Sequence, residues 1–306
     1  MPRLFDILVA GEINPDLILS VNVVPEFGQV EKLVAAYTLV VGSSSAIFAC
    51  GAARLGLRVA FIGVCGEDVF GRFMLDEMQK RNVDVSNVIV RPHEQTGLSV
   101  ILNRRKDRAI LTYPGLIGAL QASDIPDALI RNARHLHIAS YFLQTKLQAD
   151  LPNLFQRACS LGLTTSLDPN YDPSEKWSGF DELLSLTDIL LPNKTEALSI
   201  TQSEDIEVAA RQLANKTKLV AIKLGADGAV LQTKDKTIFT PSIPVNVVDT
   251  IGAGDSFDAG FLYGYLNNWS LEKSLRLAAV CGALSTQAAG GTAAQPALDE
   301  ALAFLK

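Results

Sequence analysis

Residues 247–260 read VVDTIGAGDSFDAG, a β-branched run that passes through a glycine turn into a helical pattern. Gly252 and Gly254 allow backbone conformations that other residues resist, so that backbone N–H groups can point at one spot. If the helix begins near Asp255, its unpaired N–H groups and its dipole strengthen an anion site there. The turn is not a Walker A loop, because no Gly-Lys-Ser/Thr follows, and Phe257 stands where a dinucleotide fingerprint needs its third glycine.

Asp255 has two interpretations on local grounds. Asp is a common helix N-cap, and that role is the more frequent one for an arbitrary Gly-x-Gly-Asp stretch. In phosphoryl transfer an Asp instead accepts the proton of the acceptor hydroxyl, and a helix N-terminus would keep that carboxylate ionised. The rest of the chain therefore has to decide between a cap and a catalytic base.

Apolar strand-like runs alternate with helical patterns along the rest of the chain. Strands are predicted at 5–11, 59–66, 135–140, 164–168, 188–193 and 219–225, and helices at 43–56, 70–82, 151–162, 194–201, 208–215 and twice after 255. Strands that are apolar throughout are typical of parallel sheets with both faces covered. The pattern predicts an α/β fold, a three-layer α/β/α core around a mainly parallel sheet.

Two pairs of segments break this alternation and look like antiparallel hairpin strands without helices between them. They lie at 17–25 with 31–41 and at 96–103 with 109–115. They form either a small second sheet over one edge of a site or edge extensions of the main sheet. We adopt the lid as the hypothesis, which divides the chain into a core of 1–12, 42–96 and 115–306 and a β lid of 13–41 and 97–114.

The composition argues against several kinds of partner. Of 306 residues, 48% are hydrophobic and 20% are charged, and the net charge is −6. No basic surface therefore points to nucleic acid or to an anionic membrane, and the basic cluster at 104–108 looks like a solvated hairpin tip. No stretch approaches the ~18 apolar residues of a membrane span.

Two features predict a cytoplasmic location. Cys50, Cys65, Cys159 and Cys281 are scattered, with no Cys-x-x-Cys pair, which fits a reducing compartment better than disulfides or zinc. The first residues lack a cationic segment followed by an uninterrupted apolar run, which argues against a signal peptide.

The stretch at 247–261, VVDTIGAGDSFDAGF, resembles the second signature of the ribokinase-like (PfkB) carbohydrate kinases, in which DTxGAGD is the anion hole with its base. Residues 63–74, GVCGEDVFGRFM, are similar to the first signature of that family, GxxGxDxFG. Further family blocks follow in the family's order at 166–177, 188–197 and 223–230. The resemblance spans essentially the whole chain and reverses the local preference for a cap.

The resemblance implies an ATP-dependent sugar kinase that transfers the γ-phosphoryl group of ATP to a primary hydroxymethyl group of a sugar. Asp255 would be the base that deprotonates the hydroxyl. The N–H groups of Gly252, Ala253 and Gly254 would hold the charge that develops on the transferred group.

ATP and Mg²⁺ are the implied cofactors. Asn193 and Glu196, the family's Asn-x-x-Glu, would organise Mg²⁺ and its waters, although on local grounds Glu196 is an ordinary first-turn helix acid after Pro192. The residues implied to lie along the nucleotide are Lys223, Gly225, Gly228 and Thr250. The glycines of this set also suit a plain strand-turn-strand hairpin. Asp249 and the Ile251 carbonyl resemble the ligands of a monovalent cation, such as K⁺, that some relatives bind.

On the sugar side the resemblance makes Asp16 the hydroxyl-binding acid, because a carboxylate can accept from two adjacent hydroxyls, although a turn residue is equally plausible on local grounds. The other residues expected at the sugar are Gly42, Ser43, Tyr141, Asn170 and Asp255. Ser43 and Ile47 replace the second Gly and the Asn that relatives carry in the first helix. An Ile cannot bond a hydroxyl, so the identity of the sugar stays open, with Ser43, Ser44 and Ser45 as candidate replacements.

Alternatives to a sugar kinase are a nucleoside kinase of the same family and a non-catalytic sugar-binding protein that keeps the fold. An NAD-binding oxidoreductase is disfavoured by the missing fingerprint. The expected partners are a small-molecule sugar and ATP, with neither nucleic acid nor a membrane. The apolar strands of the predicted lid favour a homodimer formed through it.

Overall fold

The computed structural model describes residues 3–20, 24–104 and 107–305. The strands are β1 (Phe5–Ala10), β2 (Pro15–Ser20), β3 (Ala36–Val41), β4 (Val59–Ile62), β5 (Val64–Gly66), β6 (Val83–Asp84), β7 (Ile89–Arg91), β8 (Leu98–Arg104), β9 (Asp107–Tyr113), β10 (Ala133–Ile138), β11 (Thr164–Leu167), β12 (Ile189–Leu190), β13 (Leu219–Lys223), β14 (Ala229–Gln232) and β15 (Thr237–Thr240).

The helices are α1 (Ser44–Arg54), α2 (Val69–Lys80), α3 (Asp127–Arg131), α4 (Thr145–Gln148), α5 (Leu151–Ser160), α6 (Asp181–Ser185), α7 (Lys194–Thr201), α8 (Ile206–Ala214), α9 (Ala253–Leu266), α10 (Leu271–Ser285) and α11 (Leu298–Leu302). Short 3₁₀ turns lie at Ala122–Asp124 and Gly225–Asp227.

A large sheet forms the centre of the molecule. Among the described residues it holds nine strands, in the order β15-β14-β13-β12-β11-β10-β1-β4-β6. From β6 to β13 every neighbouring pair is parallel, and β14 and β15 are antiparallel at the other edge. The predicted mainly parallel sheet is therefore confirmed.

Helices cover both faces of this sheet, because successive residues of its strands point to opposite sides. Ile7 and Val9 of β1 belong to one apolar core, with the buried residues of α1, α9 and α10. Leu8 and Ala10 belong to the other, with those of α5 and α8. The three-layer α/β/α arrangement follows from strands that are apolar on both sides.

Two histidines of β10 lie within the core. His135 is fully buried in β10, and its ring nitrogens lie 2.7 Å from the hydroxyls of Thr164 and Ser166. His137 shares the Ser166 hydroxyl at 2.7 Å and stacks on Phe48. Burial lowers the pKa of His135 to about 3. Burial likewise lowers the pKa of His137, so both rings are neutral groups of the core.

A separate small sheet stands apart from the main one, in the order β3-β2-β8-β9, so the alternative of edge extensions is wrong. The pairs β2–β3 and β8–β9 are antiparallel, whereas the central pair β2–β8 is parallel, with Asp16 opposite Ser99. The predicted strand at 31–41 starts only at Ala36. Part of the strand predicted at 17–25, at 21–23, lies outside the described residues. The four strands lie within the segments assigned to the lid, whose movement stays a prediction.

Within the described ranges, the helices are all too short or too polar to cross a membrane.

Candidate active site

The glycine turn leads directly into α9. Gly252 is the N-cap, with φ 73° and no side-chain cap bond, and α9 begins at Ala253, so the helix does begin near Asp255, which lies in its first turn. A Cβ on Gly252 would lie 2.6 Å from the Cα of Gly291 and 2.9 Å from Ile47, so only glycine fits. The Ala253 N–H makes a long bond of 3.3 Å to the Thr250 carbonyl. The first turn of α9 therefore presents N–H groups that no side chain caps.

Asp255 lies in this first turn and is buried rather than capping the helix. Its Oδ1 accepts a hydrogen bond from the Ser44 hydroxyl, at the start of α1. Burial, and then the charge of Asp168, raise the pKa of Asp255 to about 8, although Ser44 and Lys223 act to lower it. Desolvation thus opposes the charge-stabilising effect that was expected of the helix N-terminus at this carboxylate.

A buried group of charges lies beneath the turn. The Lys223 Nζ, at the end of β13, is 2.7 Å from Asp168 Oδ2 and 3.2 Å from Asp258 Oδ1. Burial disfavours the ammonium, but these carboxylates outweigh it and raise the pKa of Lys223. A Cβ on Gly254 would lie 3.5 Å from this Nζ, so the lysine runs directly under the anion-hole turn.

Sequence reasoning missed Asp168 and Asp258. Asp168 directly follows β11, at the carboxyl end of a parallel strand, where ligand sites of open α/β sheets form. Asp258 lies three residues after Asp255 on the same helix, hence on a neighbouring face. The positions of Asp168 and Asp258 could have been recognised in the sequence, but their contacts with Lys223 could not.

Asn193 and Glu196 form a capping box at the start of α7. Asn193 Oδ1 accepts from the Glu196 N–H at 2.9 Å, and Glu196 Oε2 accepts from the Asn193 N–H at 2.8 Å. Glu196 is buried, and burial together with the charge of Asp168 raises its pKa to about 7. The local interpretation of Glu196 as a first-turn acid is thus correct, and it leaves the carboxylate beside the charged group below the turn.

These oxygens fit a hard cation held only partly by protein. No group of three or more His, Cys, Asp or Glu side chains within the described ranges could hold a metal ion by itself. Mg²⁺ commonly takes one or two carboxylates and completes its shell with water and phosphate oxygens. A buried carboxylate such as Glu196, with an amide neighbour, suits that kind of binding.

A cleft of about 660 Å³ lies on one side of the turn. Its lining includes the predicted nucleotide residues Lys223, Gly225, Gly228 and Thr250. Lys223 N donates to the Pro192 carbonyl, which joins this cleft to the capping box. The predicted strand-turn-strand hairpin is also present, as β13 and β14 around Gly225–Asp227.

A second cavity, of about 290 Å³, lies on the other side of the turn, between the core and the small sheet. Its polar lining residues are Glu12, Asn14, Asp16, Ser43, Ser44, Ser99, Arg108, Thr112, Ser140 and Thr250. Thr250 lines both spaces, so they adjoin at the anion-hole turn. The structure thus brings the two predicted halves of the site together.

Asp16 can occupy the edge of the smaller cavity only because residue 42 is a glycine. A Cβ on Gly42 would lie 2.3 Å from Asp16 Oδ1 and 2.8 Å from the Asn14 carbonyl. Burial raises the pKa of Asp16 to about 7, while the charge of Arg108 acts to lower it. Gly42 therefore belongs to the site through the approach it permits.

Of the residues expected at the sugar, Ser43 lines the smaller cavity, whereas Gly42, Tyr141, Asn170 and Asp255 do not. The Tyr141 hydroxyl donates to the Gly179 carbonyl at 3.2 Å, and its ring packs on Phe180. Asn170 Oδ1 accepts from the Ser140 N–H at 2.7 Å, so it supports a lining residue. Sequence reasoning chose the correct strand end for Tyr141 but could not tell which side chain faces the cavity.

Ile47, which replaces the family Asn, packs beneath the anion-hole turn. Cβ atoms placed on Gly252 and Gly291 would lie 2.9 Å and 2.4 Å from its side chain. It is buried and is absent from the lining of the smaller cavity. Position 47 therefore contributes packing under the turn, and not the polar contact to the cavity that an Asn side chain could make.

Asp249 ties the turn to the segment after α10. Its Oδ1 accepts from the Ile251 N–H and its Oδ2 from the Gly290 N–H, both at 3.0 Å. Arg108 of β9 lies 3.7 Å from Asp249 Oδ1 and 3.4 Å from the Thr250 hydroxyl. The predicted hairpin at 104–108 is present, with 105–106 outside the described residues, but Arg108 faces the site instead of being a solvated tip.

The comparisons with known proteins agree with this geometry. The model of the pfkB family carbohydrate kinases matches residues 5–298, so the chain belongs to that family. An ATP-dependent ribose-1-phosphate kinase from Halopiger xanaduensis is 30% identical over 300 residues, which cover 98% of this chain and 97% of that protein.

Solved structures show the same fold. Arabidopsis thaliana ribokinase complexed with ribose and ATP has a TM-score of 0.87 at 25% identity, over 100% of this chain and 99% of that one. A putative ribokinase II from E. coli in complex with ATP and Mg²⁺ has a TM-score of 0.87 at 24% identity, over 99% of each chain. The predicted ribokinase-like fold and the enzyme class, an ATP-dependent carbohydrate kinase, are confirmed.

Proposed function

We propose that this protein transfers the γ-phosphoryl group of ATP to a primary hydroxymethyl group of a monosaccharide, with Asp255 as the base. The observation that carries the proposal is the pair of adjoining cavities on either side of one glycine turn, with Asp255 buried in the helical turn that follows and hydrogen-bonded to Ser44, which lines the smaller cavity. The donor and the acceptor would meet where N–H groups can stabilise charge and a carboxylate can take a proton.

The smaller cavity suits a sugar better than a nucleoside. Its volume of about 290 Å³ is at the low end of small-molecule pockets, which run from about 300 to 1,000 Å³. Hydroxyl, amide and carboxylate groups dominate its polar lining, and its apolar lining is aliphatic, with no aromatic ring on which a base could stack. Asp16 would accept from sugar hydroxyls, and Ser43 and Ser140 would complete the polar lining.

In the proposed reaction Asp255 accepts the proton of the attacking hydroxyl. The N–H groups of Gly252, Ala253 and Gly254 hold the charge that develops on the transferred phosphoryl group. Glu196, with Asn193, would hold Mg²⁺ through water, and the ion supplies charge neutralisation on the phosphates.

The donor cleft would position the rest of the nucleotide. Gly225 and Gly228 allow a close approach of its backbone, and Thr250 borders the phosphates where the two cavities adjoin. Lys223 would act from beneath the turn, where it balances Asp168 and Asp258, instead of reaching into solvent.

We also propose a monovalent cation site at Asp249 and the Ile251 carbonyl. Each Asp249 oxygen already accepts one N–H bond, and a carboxylate has about four lone-pair sites, so capacity for a cation remains. Titration of K⁺ at constant ionic strength should raise the rate, with choline as the inert cation. Equal rates in K⁺ and choline would remove this part of the proposal.

A homodimer through the small sheet is the proposed assembly. Tyr37 of β3 and Leu111 and Tyr113 of β9 expose more than half of their surface, which is unusual for grouped large apolar residues. Light scattering should give twice the mass of one chain, and Leu111→Glu should give one chain. A monomeric wild type at micromolar concentration would contradict it.

The cytoplasm remains the proposed location. The four cysteines of the sequence are all free in the structure, and Cys50, Cys65 and Cys281 are buried. Unpaired thiols in this number are typical of a reducing compartment.

Release of ADP tests the proposed reaction. The protein is incubated with Mg-ATP and a panel of sugars, sugar phosphates and nucleosides. The panel includes ribose and ribose 1-phosphate, because Arg108 offers a cation to an anionic acceptor. Asp255→Asn should lose about 10²–10⁴ in rate, whereas Asp76→Asn, on the exposed side of α2, should not. The proposal fails if no acceptor releases ADP above background, or if Asp255→Asn is as fast as the wild type.

A further inference from the structure

Ser44 is the only residue of α1 with a hydrogen bond to Asp255 among the described residues. We propose that Ser44 is a positioning residue for the catalytic base, held in place by Glu12 through Ser43 and Ser45. The inference rests on the proposed role of Asp255. It assigns a role to the three consecutive serines at 43–45.

Glu12 holds both neighbours of Ser44. Its Oε1 accepts from the Ser43 hydroxyl at 3.0 Å and from the Ser45 N–H at 3.2 Å, and its Oε2 accepts from the Ser45 hydroxyl at 2.6 Å. The Ser140 hydroxyl, two residues after β10, adds a fourth hydrogen bond to Glu12, at Oε1 and 2.9 Å. Glu12 itself is buried directly after β1. One carboxylate on a rigid strand end therefore fixes the residues on either side of Ser44.

The backbone at the start of α1 agrees with this arrangement. Ser43 is the N-cap of α1, with φ 66°, and its hydroxyl accepts from the Ala46 N–H at 3.0 Å. The same hydroxyl donates to Glu12, so it serves the cap and the clamp together. Because the first turn is held in this way, the Ser44 side chain has little freedom to leave Asp255.

The hydrogen bond from Ser44 gives the two carboxylate oxygens of Asp255 different roles. Oδ1 of Asp255 accepts from Ser44, which leaves Oδ2 to accept from the substrate hydroxyl. When one donor fixes Oδ1 of a carboxylate, Oδ2 is held in a defined direction. General-base catalysis depends on that geometry. Ser44 also lines the smaller cavity, so it lies between the sugar and the base.

The Ser44 bond also favours the ionised form of Asp255. The charged groups that face Asp255 are Asp168, Glu12 and Asp258, which oppose ionisation, and Lys223, which favours it. Ser44 is the neutral donor in this set. Hydrogen bonds to charged groups are strong enough that losing one should move the pKa of Asp255 upward by about 1–2 units.

The pH dependence of kcat/KM for the sugar tests the inference. The acidic limb of the profile should move to higher pH by about 1–2 units in Ser44→Ala, and the alkaline plateau of the variant should stay below that of the wild type because the base is no longer held in place. Ser44→Thr keeps the hydroxyl and should keep the wild-type limb. Ser274→Ala, a buried serine of α10 bonded to the Ser270 carbonyl, is the matched control and should change nothing.

Ser44→Cys guards against a folding failure, because its thiol is a weaker donor of similar size and should give an intermediate shift. The inference is overturned if a folded Ser44→Ala has the wild-type limb and only a raised KM for the sugar, since Ser44 is then a sugar contact. If Ser44→Ala does not fold, an unshifted limb in Ser44→Cys overturns it. An active wild type with an inactive Asp255→Asn keeps the proposed function in either case, whereas a wild type inactive with every acceptor removes both.

Discussion

Lys223→Met should be among the most destabilising single changes in this protein. Lys223 is buried, and its Nζ lies 2.7 Å from Asp168 and 3.2 Å from Asp258, two carboxylates that are themselves almost fully buried. Methionine keeps much of the volume but removes the charge that both acids require. Breaking a buried ion pair by removing one partner costs about 3–5 kcal/mol, a large part of the roughly 5–15 kcal/mol that stabilises a typical domain.

The deficit should depend on pH in a definite direction. Burial already raises the pKa of Asp258, and Lys223 acts to lower it, so without the ammonium this pKa rises further and the folded variant holds a proton that the unfolded chain releases. Groups with a raised folded pKa contribute stability that is lost as pH rises. The difference in unfolding free energy between wild type and variant should therefore grow between about pH 5 and pH 8.

Urea unfolding followed by circular dichroism measures both effects. Lys236→Met removes the exposed partner of Glu272 and should change the unfolding free energy by less than about 1 kcal/mol. Adding Asp258→Asn to Lys223→Met should recover part of the loss, because one uncompensated charge is removed. A loss below about 1 kcal/mol in Lys223→Met, or a loss that shrinks as pH rises, would refute the burial argument.

Three further results are expected. The kcat/KM for the sugar should rise about tenfold per pH unit and level off near pH 8, because Asp255 must lose its proton to act as base; a flat profile would contradict this. Gly42→Ala should raise the KM for the sugar by about 10–100-fold and leave the KM for ATP unchanged, because the new methyl displaces the Asp16 carboxylate; equal changes in both would contradict it. Arg108→Lys should lower kcat/KM more than it lowers stability, measured by steady-state kinetics and thermal unfolding, because Nη1 of Arg108 lies near both Asp249 and Thr250 and the shorter lysine side chain cannot keep both contacts; a wild-type rate would contradict it.

Several parts of this protein could be predicted from sequence, because they depend on neighbouring residues. The apolar runs that became β1 and β13 lie in the interior of the sheet, each between two other strands, because a strand that is apolar on both faces needs cover on both sides. The glycine turn before α9 was readable because the backbone itself requires glycine, and Asn193 and Glu196 because a capping box spans only three residues.

Other parts required the fold, because they join residues far apart in the chain. Asp168 meets Lys223 across 55 positions, and Ser140 meets Glu12 across 128. No local sequence pattern predicts that Ser140 lines the smaller cavity and that Tyr141 does not. The orientation of a side chain at a strand end depends on what packs against it, and that packing comes from distant elements.

The sequence by itself determined the order of the α/β elements, the glycine turn at 252–254 and the presence of an acidic residue, Asp255, directly after it. Only the tertiary structure decided that Gly252, and not Asp255, caps the helix, and that Asp255 is buried against Ser44. The physical reason is desolvation: whether a carboxylate is charged depends on how completely other elements exclude water from it.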